Sequence, residues 1–245
     1  MTPTMPFSIN PPRPIRRAQR GLTLIELLVT IAIIAFVTTA VVLGSGAVVN
    51  SRMRGAASMI SGAIRIAFTR ASATSRPNHL VFDIENSKVI LEETNDNVLV
   101  QKGDATGGAE AGTPEERDAL AQASRILKGP QAPRARFTPV KALGFDDPDT
   151  SGGRSLGQGV KFRKVETAHS PEGQASGRAY LYFWPGGQTE RASIQLMTTG
   201  SQRAEDGISI LVSPLTGRVR TVGGSKSMDP LRDDGSSSER EERAF

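Results

Sequence analysis

No charge interrupts the sequence between Glu26 and Arg52, and from Leu22 to about Leu43 nearly every residue is apolar. A bilayer's hydrocarbon core takes about 20 apolar helical residues, so this run is long enough to span one. Arg13, Arg16, Arg17 and Arg20 precede it in a segment without acids. Such flanking cations predict a cytoplasmic N-terminus with the remainder of the chain exported. An ordinary secretory signal has a shorter apolar region followed by a small-residue cleavage site. Here the obvious break, Gly21, comes before the apolar run.

The net charge of +5 and the pI of about 9.9 would by themselves suggest nucleic acid as a partner. Four of the cations lie in residues 1–21, however, which leaves 26 basic and 25 acidic residues in the rest of the chain. Phosphate contacts need clustered cations, so nucleic acid is not expected as a partner, although a local patch involving Arg218 and Arg220 stays open. The 245 residues allow one or two domains. Long stretches poor in large apolar side chains favour a single folded domain with appendages. The absence of cysteine excludes disulfides and thiolate metal sites. His79 and His169 are the only imidazoles, far apart in sequence, and read as ordinary side chains.

Beyond the apolar run, Met53, Ala56, Ala57, Ile60, Ile64, Ala67, Phe68 and Ala71 recur at three- and four-residue spacings, with Arg52, Arg65 and Arg70 off the stripe. The helix is therefore expected to continue over 22–76, with about 22–43 transmembrane and the second half amphipathic. Pro77 should end it, since proline disfavours helix in the residue before it. Leu22 to about Thr74 would measure on the order of 80 Å. Gly44, Gly46 and Gly55 lower helix propensity within it.

After Pro77 the period becomes strand-like. Residues 79–84 and 88–93 flank an Asn86-Ser87 turn as a hairpin that 98–102 could extend. Residues 180–184 and 192–197 are separated by Pro185-Gly186-Gly187, and 208–213 and 218–222 by Pro214-Leu215-Thr216-Gly217. With 160–165, these predict an antiparallel β-domain over 77–222 packed on the amphipathic half of the helix, an α+β fold of sheet or sandwich form. Residues 103–157 read as an irregular excursion outside the core. Within it, Thr113-Pro114-Glu115-Glu116 has an N-cap, a proline at the first helical position and a capping-box glutamate, so a short helix should run to about Lys128, stopped by Gly129-Pro130. Asp146, Asp147 and Asp149 offer oxygen ligands of the kind calcium takes, but not at EF-hand spacing, and an Asp-Pro turn is the preferred reading. Residues 223–245, polar and without apolar periodicity, are expected to be a disordered tail.

The sequence Arg20-Gly21-Leu22-Thr23-Leu24-Ile25-Glu26-Leu27-Leu28 resembles the processing signature of type IV pilins and type II secretion pseudopilins. The resemblance implies cleavage between Gly21 and Leu22 by prepilin peptidase, removing residues 1–21 as a leader, and N-methylation of Leu22. The family most often has phenylalanine or methionine at that first position, so leucine departs from it. An acid at the centre of a spanning helix costs about 2.5–3.5 kcal/mol, less near an interface, so Glu26 requires a partner or headgroup water. The resemblance implies pairing of Glu26 with the amino terminus of a neighbouring subunit during filament assembly. The helix followed by YLYFWPGGQTERASIQL and by Ile210 to Arg220 is similar to the H-type minor pseudopilin, over about 22–100 and 158–222.

The function implied is that of a minor pseudopilin, a structural subunit rooted in the bacterial inner membrane with its C-terminal domain in the periplasm, helping to export proteins across the outer membrane. Its implied partners are prepilin peptidase/N-methyltransferase, other major and minor pseudopilins and inner-membrane lipid. A minor pilin of a type IV pilus, serving adhesion, motility or DNA uptake, shares the leader and helix and remains the alternative. A membrane-anchored periplasmic enzyme is the third class, but no GxxxxGK, GxSxG or HExxH pattern supports it. No catalytic residue, metal or cofactor is expected. Trp184 reads either as a strand-end packing residue or as a contact for the next subunit.

Overall fold

The computed structural model describes residues 23–126, 133–141, 153–201 and 203–228. The leader, Gly21 and Leu22, the Lys128 to Pro130 helix stop, the Asp146 to Asp149 loop and the tail beyond 228 lie outside them. The chain divides into two compact units, Met1–Gly46 and Ala47–Phe245. Helix α1 covers Leu24–Thr74.

In the first unit, α1 carries its apolar side chains in the open: Leu24 is 82% exposed and Phe36 76%. Among the described residues no helix is long and apolar enough to cross a membrane. This departs from the transmembrane run expected over 22–43.

In the second unit, α1 buries Met53, Ala56, Ala57, Ile60, Ala63, Ile64, Ala67 and Ala71, with Phe68 partly covered. That is the stripe expected from the spacing, and each fully buried isoleucine contributes about 1.5–3 kcal/mol. Ser75, at φ 53, takes the left-handed conformation that ends helices, two residues ahead of Pro77.

Two antiparallel sheets turn one face each to this stripe. The first is built on β1 (Asn78–Asp83) and β2 (Lys88–Glu93), which form the expected hairpin with Leu80 opposite Leu91. Its turn is held by Asp83 Oδ1, which accepts the Asn86 N–H at 2.9 Å, and Ser87 sits at φ 51. The short strands β3 (Thr138–Pro139) and β4 (Arg154–Ser155) pair with opposite ends of β2. On the other side β1 pairs with β6 (Arg178–Trp184), which pairs with β7 (Gln188–Thr189). The second sheet comprises β5 (Val160–Thr167), β8 (Ala192–Thr198), β9 (Ile208–Val212) and β10 (Val219–Gly223), in the order β10-β9-β8-β5. A bulge between Phe162 and Lys164 shifts the β5–β8 register.

Residues 180–184 and 192–197, which the Pro-Gly-Gly turn suggested as neighbours, belong to different sheets. The turn returns only Gln188 and Thr189 to β6. Glu190 then points inward, its Oε1 accepting the Tyr182 N–H at 3.3 Å, and from Ala192 the chain enters the second sheet. Residues 98–102 form no strand. Their loop closes on itself through Gln101 N–H to Gly107 O at 3.0 Å, and Val98 and Val100 pack against the first sheet's outer face.

The shared core joins Leu80, Phe82, Leu91, Leu181 and Phe183 of the first sheet to Phe162, Ile194, Leu196, Ile210 and Val212 of the second, around the α1 stripe. Phe82 and Phe162 meet edge to face at 5.7 Å. A smaller core of Val81, Ile90, Val98, Ala109, Ala135, Tyr180 and Tyr182 lies on the opposite face of β1. Residues 103–157 are thus not an appendage. They supply α2 (Pro114–Ile126), β3 and β4, place Val140 and Leu156 in the main core, and close the second one. Gly217, at φ 59, closes the β9–β10 turn where a Cβ would fall 2.6 Å from the Phe68 ring, so only glycine fits against α1 there.

Candidate functional site: the N-terminal helix start and the faces of the β-domain

Helix α1 begins with Thr23 as its cap. The Thr23 hydroxyl accepts the Glu26 N–H at 3.3 Å, and the Thr23 carbonyl accepts the Leu27 N–H at 3.1 Å. Thr23-Leu24-Ile25-Glu26 has capping-box spacing, a signal the apolar run obscured in the sequence. Glu26 therefore stands exposed in the first turn, where the helix dipole favours an anion. None of the ion pairs among the described residues involves it. Its neighbours Leu24, Ile25, Leu27 and Leu28 are all more than half exposed.

The second helix shows the same device complete. Glu116 N–H reaches the Thr113 hydroxyl at 3.2 Å, while Glu116 Oε2 accepts the N–H groups of Thr113 at 3.2 Å and Gly112 at 2.8 Å. Its Oε1 accepts the Tyr180 hydroxyl at 2.8 Å, which ties α2 to the first sheet. A cleft of about 740 Å³ opens beside α2, lined by Asp83, Leu99, Asp104, Glu116, Arg134 and Arg178 among others. Its charges serve one another: Arg134 meets Asp104 at 2.7 Å, and Arg178 lies 4.0 Å from Asp83.

The two histidines, distant in sequence, converge on Tyr182, whose ring centroid lies 5.1 Å from that of His79 and 5.7 Å from that of His169. Both are buried. His79 Nε2 meets Glu92 Oε2 at 2.8 Å, and its ring stacks on Phe137 at 3.7 Å. His169 Nδ1 meets Glu190 Oε2 at 2.6 Å. Burial lowers the His79 pKa from its ordinary value, and the hydrogen bond and charge of Glu92 offset part of this. Burial, then the charge of Glu116, pushes the Tyr180 phenol well up, while burial and Glu190 do the same to Tyr182. The Tyr182 hydroxyl donates to the Thr106 carbonyl. These are packed polar contacts, and no group of side chains among the described residues is arranged to hold a metal ion.

Trp184 is partly buried at the end of β6, its ring 6.2 Å from Tyr182, so packing accounts for it. Arg218 and Arg220 stand exposed at and beside edge strand β10.

A family model, the prokaryotic N-terminal methylation motif, matches residues 16–42. The chain carries a prokaryotic N-terminal methylation motif. The match takes in Gly21, Leu22 and Glu26. Among solved structures, the minor pseudopilin EpsH from the type 2 secretion system of Vibrio cholerae is similar at a TM-score of 0.43, with 9% identity over 72% of this chain and 99% of that one. A second structure of EpsH gives 0.41, with 10% identity over 72% and 97%. A comparison with curated proteins finds no match.

Proposed function

We propose that this chain is a minor pseudopilin of a type II secretion pseudopilus, made as a precursor whose residues 1–21 are removed. The observation that carries the reading is the N-terminal methylation motif at 16–42 running directly into α1. That helix exposes large apolar side chains in its first unit and supplies the core stripe of a β-domain in its second. Side chains such as Leu24, Ile34 and Phe36 are costly in water, at about 25 cal/mol per Å² of apolar surface. Their natural surroundings are inner-membrane lipid and the helices of neighbouring pseudopilins. The assigned topology is a single pass over about 22–43, cytoplasmic N-terminus and periplasmic β-domain. Gly21 and Leu22 are assigned as the cleavage junction, Leu22 as the methylated residue and Glu26 as the assembly carboxylate. The chain is on this reading a substrate of prepilin peptidase/N-methyltransferase rather than a catalyst.

Intact mass of membrane-extracted protein tests this. In cells with active peptidase the mass should correspond to Leu22 onward plus one methyl group, and Gly21→Trp should leave an uncut, membrane-inserted precursor. Met1 still attached beside active peptidase overturns the reading.

A further inference from the structure

Residues 224–228, expected as the start of a disordered tail, lie instead across the second sheet on the face turned away from α1. Ser209 Oγ of β9 donates to the Gly224 carbonyl and accepts the Lys226 N–H, both at 2.7 Å. Gln195 Nε2 of β8 donates to the Lys226 carbonyl at 3.2 Å. Glu166 of β5 accepts the Ser227 hydroxyl at 3.0 Å and the Met228 N–H at 2.8 Å. The described chain thus ends beside β5, the last strand of that sheet. Next to Glu166, Val165 exchanges backbone hydrogen bonds with Gln174 at 2.9 and 2.8 Å, and Gln174 Nε2 donates to the Ala105 carbonyl at 3.1 Å. Gln174 and Ala105 both line the cleft beside α2. Residues 229–245 therefore start close to the rim of that cleft.

The cleft has apolar walls without cover. Leu99, which lines it, is 65% exposed, and outside α1 only Leu215 is an equally exposed large apolar residue among the described ones. Across from the loop that carries Leu99, α2 contributes Ala119, Leu120 and Ala123. Glu116 and Leu120 are the only half-buried side chains among the described residues of α2, so the helix overhangs the cleft without closing it. Residues 229–245 hold two large apolar side chains, Leu231 and Phe245. Leu231 comes three residues after Met228, within about 10 Å of extended chain. We propose that the cleft beside α2 is a docking site for this chain's own C-terminal segment, with Leu231 seated against Leu99 and the apolar face of α2. The charges that follow Leu231 have opposite numbers in the cleft: Glu85 and Glu115 for Arg232, and Lys102, which forms no ion pair among the described residues, for Asp233 and Asp234. Such exposed pairs add little energy and serve to orient the segment. Because the strap tethers the segment at the rim, its effective concentration is high, and one leucine contact suffices to hold it. The inference does not depend on the secretion reading.

The chain lacks cysteine, so Ala119→Cys places a single thiol in the cleft. Its rate of labelling by a maleimide is measured in detergent for the full chain and for the same chain ended at Met228. The full chain should react about tenfold more slowly, the protection that cover by one leucine side chain gives. Leu231→Ser in the full chain should restore the faster rate. A Thr69→Cys thiol, on an exposed position of α1, should react alike in all three chains. Equal rates for the full and ended chains overturn the proposal, and so does protection that survives Leu231→Ser. Protection that grows with protein concentration assigns the cleft to a second copy and overturns it equally, while the same slowing at Thr69→Cys marks a general effect of the tail and removes the docking site.

Discussion

His79 is wholly enclosed yet ionisable, and its contact with Glu92 only partly offsets the loss of water around a positive charge. The groups facing it are Glu92 of β2, Glu116 of α2, Tyr180 and Tyr182 of β6, Phe137 and, farther off, His169. Its folded pKa lies below the unfolded value of 6.5, so its contribution to stability is fully present above that value and is lost as pH falls beneath it. The thermal midpoint should therefore drop between about pH 7 and about pH 5, and His79→Gln should flatten that slope. An unchanged slope in the variant would assign the acid sensitivity elsewhere. Glu26 poses the opposite problem, a carboxylate exposed among apolar side chains. Glu26→Ala should leave membrane partition unchanged or slightly improved. If the carboxylate neutralises a neighbour's amino terminus, losing it leaves that charge unpaired, at a cost of several kcal/mol where buried. The mutant should be cleaved but poorly crosslinked to other pseudopilins, and Glu26→Gln, which keeps shape without charge, should share the defect. Wild-type crosslinking by both variants would remove Glu26 from assembly.

Among the elements, α1 and the local hairpins were legible in the sequence because their signals are local. The stripe from Met53 to Ala71 repeats every three or four residues, and residues 78–93 and 208–223 pair across short turns. What eluded the sequence is long-range. Nothing local says that β6 pairs with β1 while β8, eight residues after Trp184, inserts between β5 and β9. Nor does a Gly-rich segment announce that Ala109 and Ala135 will join the second core, that Phe137 will stack on His79, or that Ser227 will reach Glu166. The histidines looked unrelated for the same reason: strand pairing, not sequence distance, brings them to Tyr182. Of the candidate site, Glu26 and its surroundings were legible from composition alone, whereas the buried polar face of Glu166, Ser193, Gln195 and Ser209 arises only when β5, β8 and β9 lie side by side. The α1 stripe is the element most open to measurement. Ile64→Ala, at a wholly buried position facing both sheets, should lower unfolding free energy by about 2–5 kcal/mol in urea titrations. A loss below about 1 kcal/mol would show that the helix is not part of the cooperative core.

At the scale of the whole molecule, the core lies entirely within the unit Ala47–Phe245, and α1 enters it at Met53. The buried stripe of α1 begins at Met53, so a chain that starts there keeps every residue of the main core. A fragment from Met53 to the C-terminus should therefore be soluble without detergent. It should show β-rich circular dichroism with a helical component from residues 53–74. A start at Ala71 should fail, because it deletes Ile60 and Ile64 and leaves Leu80, Leu181, Ile194 and Ile210 facing water. The comparison of the two starts is decisive, since both lack the apolar N-terminal run and differ only in the core stripe. If the Met53 fragment is unfolded or mainly helical, α1 does not organise the two sheets as described. If the Ala71 fragment is as stable as the longer one, the sheets close on each other without the helix, and the stripe is an addition to the core rather than its centre.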